Sequence, residues 1–218
     1  MDARRASRGD SHGNLRNEVE NMLSTAIVIG ELAPGTLVTV PSLAAQFAVS
    51  ATPVREAMVN LQHRGFVEPV RNKGFRVTHM SERETREITT VRAWLESSAM
   101  AAIAPIFPRD RIGEFRALAD QGVRAIDEGD LAGYLDADQG FHREILRLLE
   151  NERLSQLATS LRQETRLGSL ASRIETPELR QSATEHHLIL DRLMEADAAG
   201  LLVLVRDHVL RDAAACPH

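Results

Sequence analysis

Asp138, His142, His186 and His208 are the residues of this 218-residue chain whose types and spacing could do chemistry together. Asp138 and His142 stand four apart in DLAGYLDADQGFHREILRLL. There Leu131, Leu135, Ile145 and Leu149 recur at helical spacing, so all six share one face. That face must go inward, yet two of its members are polar. The pattern returns from Pro177, where Leu179, Ala183, Ile189, Leu190 and Leu193 make an apolar stripe with His186 on it. His187 falls instead with Arg180, Thr184 and Asp191 on the polar side. A last helix, from about Ala199, sets His208 beside Leu201, Leu204 and Val205. An unpaired buried charge costs several kcal/mol, so these four groups need partners. Imidazole suits Zn, Ni, Cu or Fe, and a carboxylate completes a donor set with positions left for water or a ligand. Separate, hydrogen-bonded core residues are the alternative reading.

The elements that must position these groups are helices. Ser81 with Glu84 forms a capping box, and Ile88, Val91, Leu95, Ala99 and Ala102 run down one face as far as Pro105. Ile112, Phe115, Leu118, Ala119 and Ile126 mark a second helix that Gly129 closes, and Asp130 caps the third. Leu154, Leu157 and Leu161 mark another. The composition, 43% hydrophobic and 26% charged, excludes a disordered chain. The single cysteine, Cys216, allows no internal disulfide and points to a reducing cytoplasm. Residues 1–14 are polar and read as a mobile tail, and the longest apolar run, LLVLV, is too short to cross a bilayer.

Charge divides the chain. Through His79 there are 9 Arg or Lys against 7 Asp or Glu, a balance of +2; the rest carries 17 against 24, a balance of −7. The cationic part has its own organisation. Leu15, Val19, Met22, Leu23 and Ile27 form a helix that stops at Gly30, and Leu43, Ala44 and Phe47 form a short second one. A third starts at Ser50 or Thr52 with Pro53 in its first turn, buries Val54, Ala57, Met58 and Leu61, and ends at Gly65. Two strand-length runs follow, 66–70 and 75–78, joined by Arg71-Asn72-Lys73-Gly74. Three short helices and a two-stranded wing make a winged helix-turn-helix. The third helix fits a major groove and the wing offers a cationic tip, with Lys73, the only lysine of the chain, between Arg71 and Arg76.

The segment from about Leu15 to Val77, with IVIGELAPGTLV, VSATPVREAMVNLQHRGFV and the NKGFRV wing, resembles the N-terminal domain of the GntR family of bacterial transcription regulators. The resemblance implies operator contacts by Ser50, Thr52 and Arg55 and, in the wing, by Lys73 and Gly74, with Arg71 alongside. Ala51 stands where the family commonly has arginine, and Thr39, Val40 and Pro41 supply no basic residue, so an atypical operator, or greater dependence on Arg55 and the wing, is expected. Beyond the wing, DQGFHREIL, Glu185-His186 and the terminal Arg206-Asp207-His208 resemble the FCD effector domain of the FadR-type subgroup. That implies a divalent metal, Zn first with Ni, Mn or Fe as alternatives, on Asp138, His142, His186 and His208. It also implies a small carboxylate effector, met by Arg92 in RAWLE with Arg162 and Arg166 in reserve. An ion pair of Arg92 with Glu96 is the competing reading.

The expected architecture is therefore mainly α: tail 1–14, winged helix-turn-helix 15–79, and an all-helical FCD-like bundle 80–218. The resemblance implies a cytoplasmic homodimer on a palindromic double-stranded DNA operator, with no membrane partner. Repression relieved by the effector is the commoner sense and activation the alternative. Two other readings stand beside it: an all-helical metalloenzyme with a DNA tether, against which no GxSxG or HExxH motif appears, and a DNA-binding protein whose metal is structural.

Overall fold

The computed structural model describes residues 3–166 and 176–214. The chain divides into two units, Met1–Met80 and Ser81–His218.

In the first unit, α1 (Ala3–Val28) is followed by β1 (Leu37–Val38), α2 (Val40–Gln46), α3 (Ala51–His63), β2 (Val67–Val70) and β3 (Gly74–Val77). Val19, Leu23 and Ile27 of α1 are buried, as are Val54, Ala57, Met58 and Leu61 of α3, and the two helices pack together. Thr39 and Ser42 cap α2 reciprocally, with Pro41 in the first turn. Ala48, at φ +54°, turns the chain toward α3, which Ser50 begins.

Two expectations are corrected. The helix expected from Leu15 starts at Ala3, inside the segment read as a mobile tail, because no proline or competing turn interrupts the backbone before Leu15. The wing has three strands rather than two, in the order β1-β3-β2 and antiparallel throughout. β1 is only two residues long, too short to show a period in sequence, but it pairs Leu37 with Arg76 and Val38 with Phe75. That pairing explains Gly74: at φ +113°, a Cβ there would lie 2.2 Å from the Val38 carbonyl oxygen. Only glycine lets β1 approach this closely.

The second unit is helical throughout its described residues: α4 (Glu82–Ile103), α5 (Ile112–Asp127), α6 (Leu131–Leu146), α7 (Glu152–Glu164), α8 (Pro177–Met194) and α9 (Ala198–Ala214). α4 packs against α9 and α7, α5 against α6 and α8, and α8 against α9. Met100, Ile103, Phe115, Phe141, Ile189 and Val205 are among the core residues they share. Ser81 and Glu84 form the expected capping box, and Asp130 accepts the Gly133 amide at the start of α6. α4 buries only part of the face expected of it: Ala99 is buried and Leu95 packs on the core. Val91 and Ala102 are exposed, while Arg92, Glu96, Ser97 and Met100 point inward. The inward face is shifted because Arg92 and Glu96 satisfy each other's charge and go inside as a pair.

Candidate functional site

The first unit presents a cationic face. Ser50, Thr52 and Arg55 at the start of α3 are exposed, and so are Arg71 and Lys73 in the wing. Ser50 begins α3 without a side-chain cap hydrogen bond, so capping does not occupy its hydroxyl. None of Arg55, Arg71 and Lys73 has an ion pair among the described residues, whereas Arg76 is bridged across the strands to Glu68 at 3.1 Å. α3 is held from behind: Glu20 of α1 accepts from Asn60 Nδ2 at 2.8 Å and from Arg64 at 2.6 Å. The Arg64 guanidinium also lies 4.7 Å from the centre of the Phe66 ring.

In the second unit, α6, α8 and α9 bring Asp138, His142, His186 and His208 together in the interior, each at most 2% exposed. One ring nitrogen from each histidine lies within 4.8 Å of the other two. Nε2 of His142 and Nε2 of His186 are 3.2 Å apart, and Asp138 Oδ1 is 3.5 Å from the same His186 nitrogen. Asp138 Oδ1 and His208 Nε2 are both buried without a hydrogen-bond partner. Donor atoms about 2.1 Å from a shared ion stand roughly 3.0–3.4 Å apart, a spacing that the 3.2 Å between His142 and His186 meets, and imidazole with carboxylate is a donor chemistry that suits a divalent cation.

A buried ionic layer from α4 and α7 backs this cluster. Arg92 Nε donates to Glu96 Oε1 at 2.9 Å, and its terminal nitrogen donates to Thr165 Oγ1 at 2.6 Å. The ion pair between Arg92 and Glu96 is thus present. Arg162 bridges two carboxylates, donating to Glu96 Oε2 and, at 2.9 Å, to Asp138 Oδ2. Arg166, just past the end of α7, donates to the same Asp138 oxygen at 2.7 Å. Burial pushes the Asp138 carboxyl up, but Arg166 and Arg162 outweigh it and hold the group well below the usual carboxylate range. Glu96 behaves alike, with Arg162 and Arg92 outweighing burial. Burial, then Arg162 and the other imidazoles, push His142 well below its ordinary value, so the ring is neutral and able to act as a ligand. Arg92, Arg162 and Arg166 face Glu96 and Asp138 in this layer, while a third buried carboxylate, Glu185, is turned to His208 and Arg211.

Sequence reasoning gave no functional part to Glu96, Thr165 or Glu185. Glu185 Oε2 is 3.0 Å from His208 Nδ1. The available signal was adjacency, since Glu185 precedes His186 and Glu96 follows Arg92 by one turn.

A winged helix-turn-helix with exposed cations on α3 and in the wing, joined in one chain to a helical domain with a buried polar centre, defines a two-domain type of DNA-binding regulator. Residues 15–77 match the bacterial regulatory proteins of the gntR family and residues 87–211 match the FCD domain, and the chain belongs to the GntR family of transcriptional regulators with an FCD domain. It is 30% identical over 192 residues to the HTH-type transcriptional regulator McbR of Escherichia coli (strain K12), covering 87% of this chain and 86% of that protein. It is 29% identical over 181 residues to the probable D-xylose utilization operon transcriptional repressor of Paenarthrobacter nicotinovorans, covering 83% and 79%. The solved structure of E. coli McbR/YncC superposes with a TM-score of 0.79 at 26% identity, covering 92% of this chain and 95% of that one. No helix among the described residues is long and apolar enough to cross a membrane.

Proposed function

We propose that this regulator is a cytoplasmic homodimeric repressor whose winged units read a palindromic operator and whose helical domain holds a divalent metal ion and a small carboxylate effector. The observation that carries the metal reading is the four-donor cluster, in which Asp138 Oδ1 and His208 Nε2 are buried with nothing else to satisfy them. His142, His186 and His208 would supply nitrogen donors and Asp138 one oxygen, its other oxygen being held by Arg162 and Arg166. A bound ion would supply a Lewis-acidic anchor for the carboxylate of the effector. Three guanidiniums, Arg92, Arg162 and Arg166, are gathered beside the cluster and would be the cations that meet an anionic ligand. Ser50, Thr52 and Arg55 would read the major groove while Arg71 and Lys73 follow the backbone beside it. Gly74 serves the wing through its close approach to Val38. Repression is supported by relatives that carry that description.

The test is selection of operators from sheared genomic DNA at near-physiological salt, followed by a screen of organic acids for release of the selected site, with Zn-loaded and metal-stripped protein. Acid-dependent release by loaded protein alone supports the sensor. Release that ignores the metal, with folding lost on stripping, assigns the ion a structural part. Failure to enrich any site overturns the regulator reading.

A further inference from the structure

Among the three imidazoles of the cluster, His208 is held differently. Its Nδ1 faces Glu185 Oε2 at 3.0 Å, while the other oxygen of that carboxylate takes Gln181 Nε2 at 2.9 Å and the Arg211 guanidinium. A carboxylate surrounded by such donors stays ionised and can only accept, so the proton between the two residues sits on His208 Nδ1. The lone pair of His208 is then on Nε2, the buried nitrogen without a hydrogen-bond partner. His142 has no equivalent: its Nδ1 is 3.6 Å from Glu96 Oε2, beyond hydrogen-bond reach. The geometry also explains the dipeptide Glu185-His186. On α8, His186 enters the cluster directly, and Glu185 reaches across to α9, where it joins His208 to Arg211 one turn further on. The side chain of Arg211 is 43% exposed, so this chain of contacts runs from the buried cluster to the surface.

We propose that Glu185 is a positioning residue for the metal centre: clamped by Gln181 and Arg211, it fixes His208 as the Nδ1-protonated tautomer and so presents Nε2 as a ready donor before any ion arrives. This rests on the metal reading above, and it adds that the affinity of the centre is set from a residue that touches no ion. Carboxylates behind metal-bound histidines fix ring orientation and raise ligand basicity, and their loss costs about 10–100-fold in affinity.

The experiment uses the full-length protein stripped of metal, with Zn2+ as probe in competition with a chromophoric chelator. E185Q should bind Zn2+ about 10–100-fold more weakly than the unsubstituted protein, with unchanged far-UV circular dichroism and metal-free melting temperature. E178Q removes the same charge from the exposed start of α8 and should leave affinity unaltered. Long-range 1H–15N spectra of the metal-free protein give an independent readout, with the His208 signals identified by their absence in H208Q. His208 should appear as the Nδ1–H tautomer, and E185Q should mix or invert the two forms. Zn2+ affinity in E185Q equal to that of the unsubstituted protein, or an Nε2–H His208 in that protein, overturns the proposal. Should E185Q fail to fold, E185D keeps the acceptor and should restore both the tautomer and most of the affinity. An unsubstituted protein that binds no divalent metal would sink the metal reading, while the tautomer would still decide whether Glu185 positions His208.

Discussion

Nε2 of His142 stands 3.2 Å from Nε2 of His186, two like nitrogens on different helices facing each other in the interior. Without an ion, one must carry a proton to donate to the other. A divalent cation would take the place of that proton and join both lone pairs. Binding to the folded state alone adds RT ln(1 + [L]/Kd), about 2.7 kcal/mol at a hundredfold excess over Kd. Zn2+ at that excess should therefore raise the melting temperature of the stripped protein by roughly 5–10 °C for a domain of this size. H186A should abolish the shift while leaving the stripped protein folded, as scanning calorimetry would show; an undiminished shift in H186A would remove His186 from the donor set.

Arg162 joins Glu96 to Asp138. All three side chains are at most 3% exposed. R162A would leave both buried carboxylates short of a cation, and losing one partner of a buried ionic network costs about 3–5 kcal/mol. Urea unfolding of metal-free protein should show that loss. A cost below about 1 kcal/mol would mean that water enters the layer and screens it.

Helix face and residue type together made the buried cluster of Asp138, His142, His186 and His208 legible. Leu179, Ala183, His186, Ile189, Leu190 and Leu193 all bury as the period of α8 indicates, and Leu201, Val205 and His208 do so on α9. His187, placed on the polar face, is indeed only partly buried and sits 3.3 Å from Asp120. What was not legible is the ionic layer. A period of apolar residues marks a buried face only when polarity means exposure, and on α4 the charged Arg92 and Glu96 compensate each other, while Val91 and Trp94 face outward. Thr165 and Arg166 meet their partners only through the packing of α7, at sequence separations that no local pattern reports. β1 escaped for a different reason, since its two residues become a strand only through the hydrogen bonds of β3.

Gly74 offers a test of that third strand. G74A would set a methyl group against the Val38 carbonyl at a positive φ, strain of order 1–3 kcal/mol that the short β1 can relieve only by separating from β3. Hydrogen exchange should then quicken at the Thr36–Val77 pairing, where Val77 N–H donates to Thr36 O at 2.9 Å. The amides of α3 should keep their protection. Unchanged exchange at Val77 would show that β1 does not constrain the wing.

The cations of the first unit should separate by salt dependence. Lys73 is an exposed point charge at the tip of the wing, suited to phosphate, so K73A should reduce the slope of log K against log salt by about 0.9 and weaken all sequences alike. R55A should cost about 1–3 kcal/mol on the selected operator and much less on unrelated DNA, because Arg55 lies on the exposed face of α3 that would meet base edges in the proposed complex. Fluorescence anisotropy over a salt series measures both. Equal losses by R55A on operator and unrelated DNA would move Arg55 from the bases to the backbone.

Ala51 carries the last prediction. It is exposed in the first turn of α3, between Ser50 and Thr52, where its methyl group can touch a thymine methyl but can donate no hydrogen bond. A guanidinium at this place would have room, since the neighbouring positions are open to solvent and only Pro53 and Val54 turn inward. The regulator should therefore discriminate weakly at the base step facing Ala51 and draw its specificity from Arg55 and the wing. A51R should gain about 1–3 kcal/mol on an operator with guanine at that step, and little on the operator selected by the unsubstituted protein. Competition binding between the two sequences reads the difference directly. If the unsubstituted protein already prefers the guanine-bearing site by that margin, another donor performs the reading, and the absence of arginine at position 51 has no consequence for operator choice.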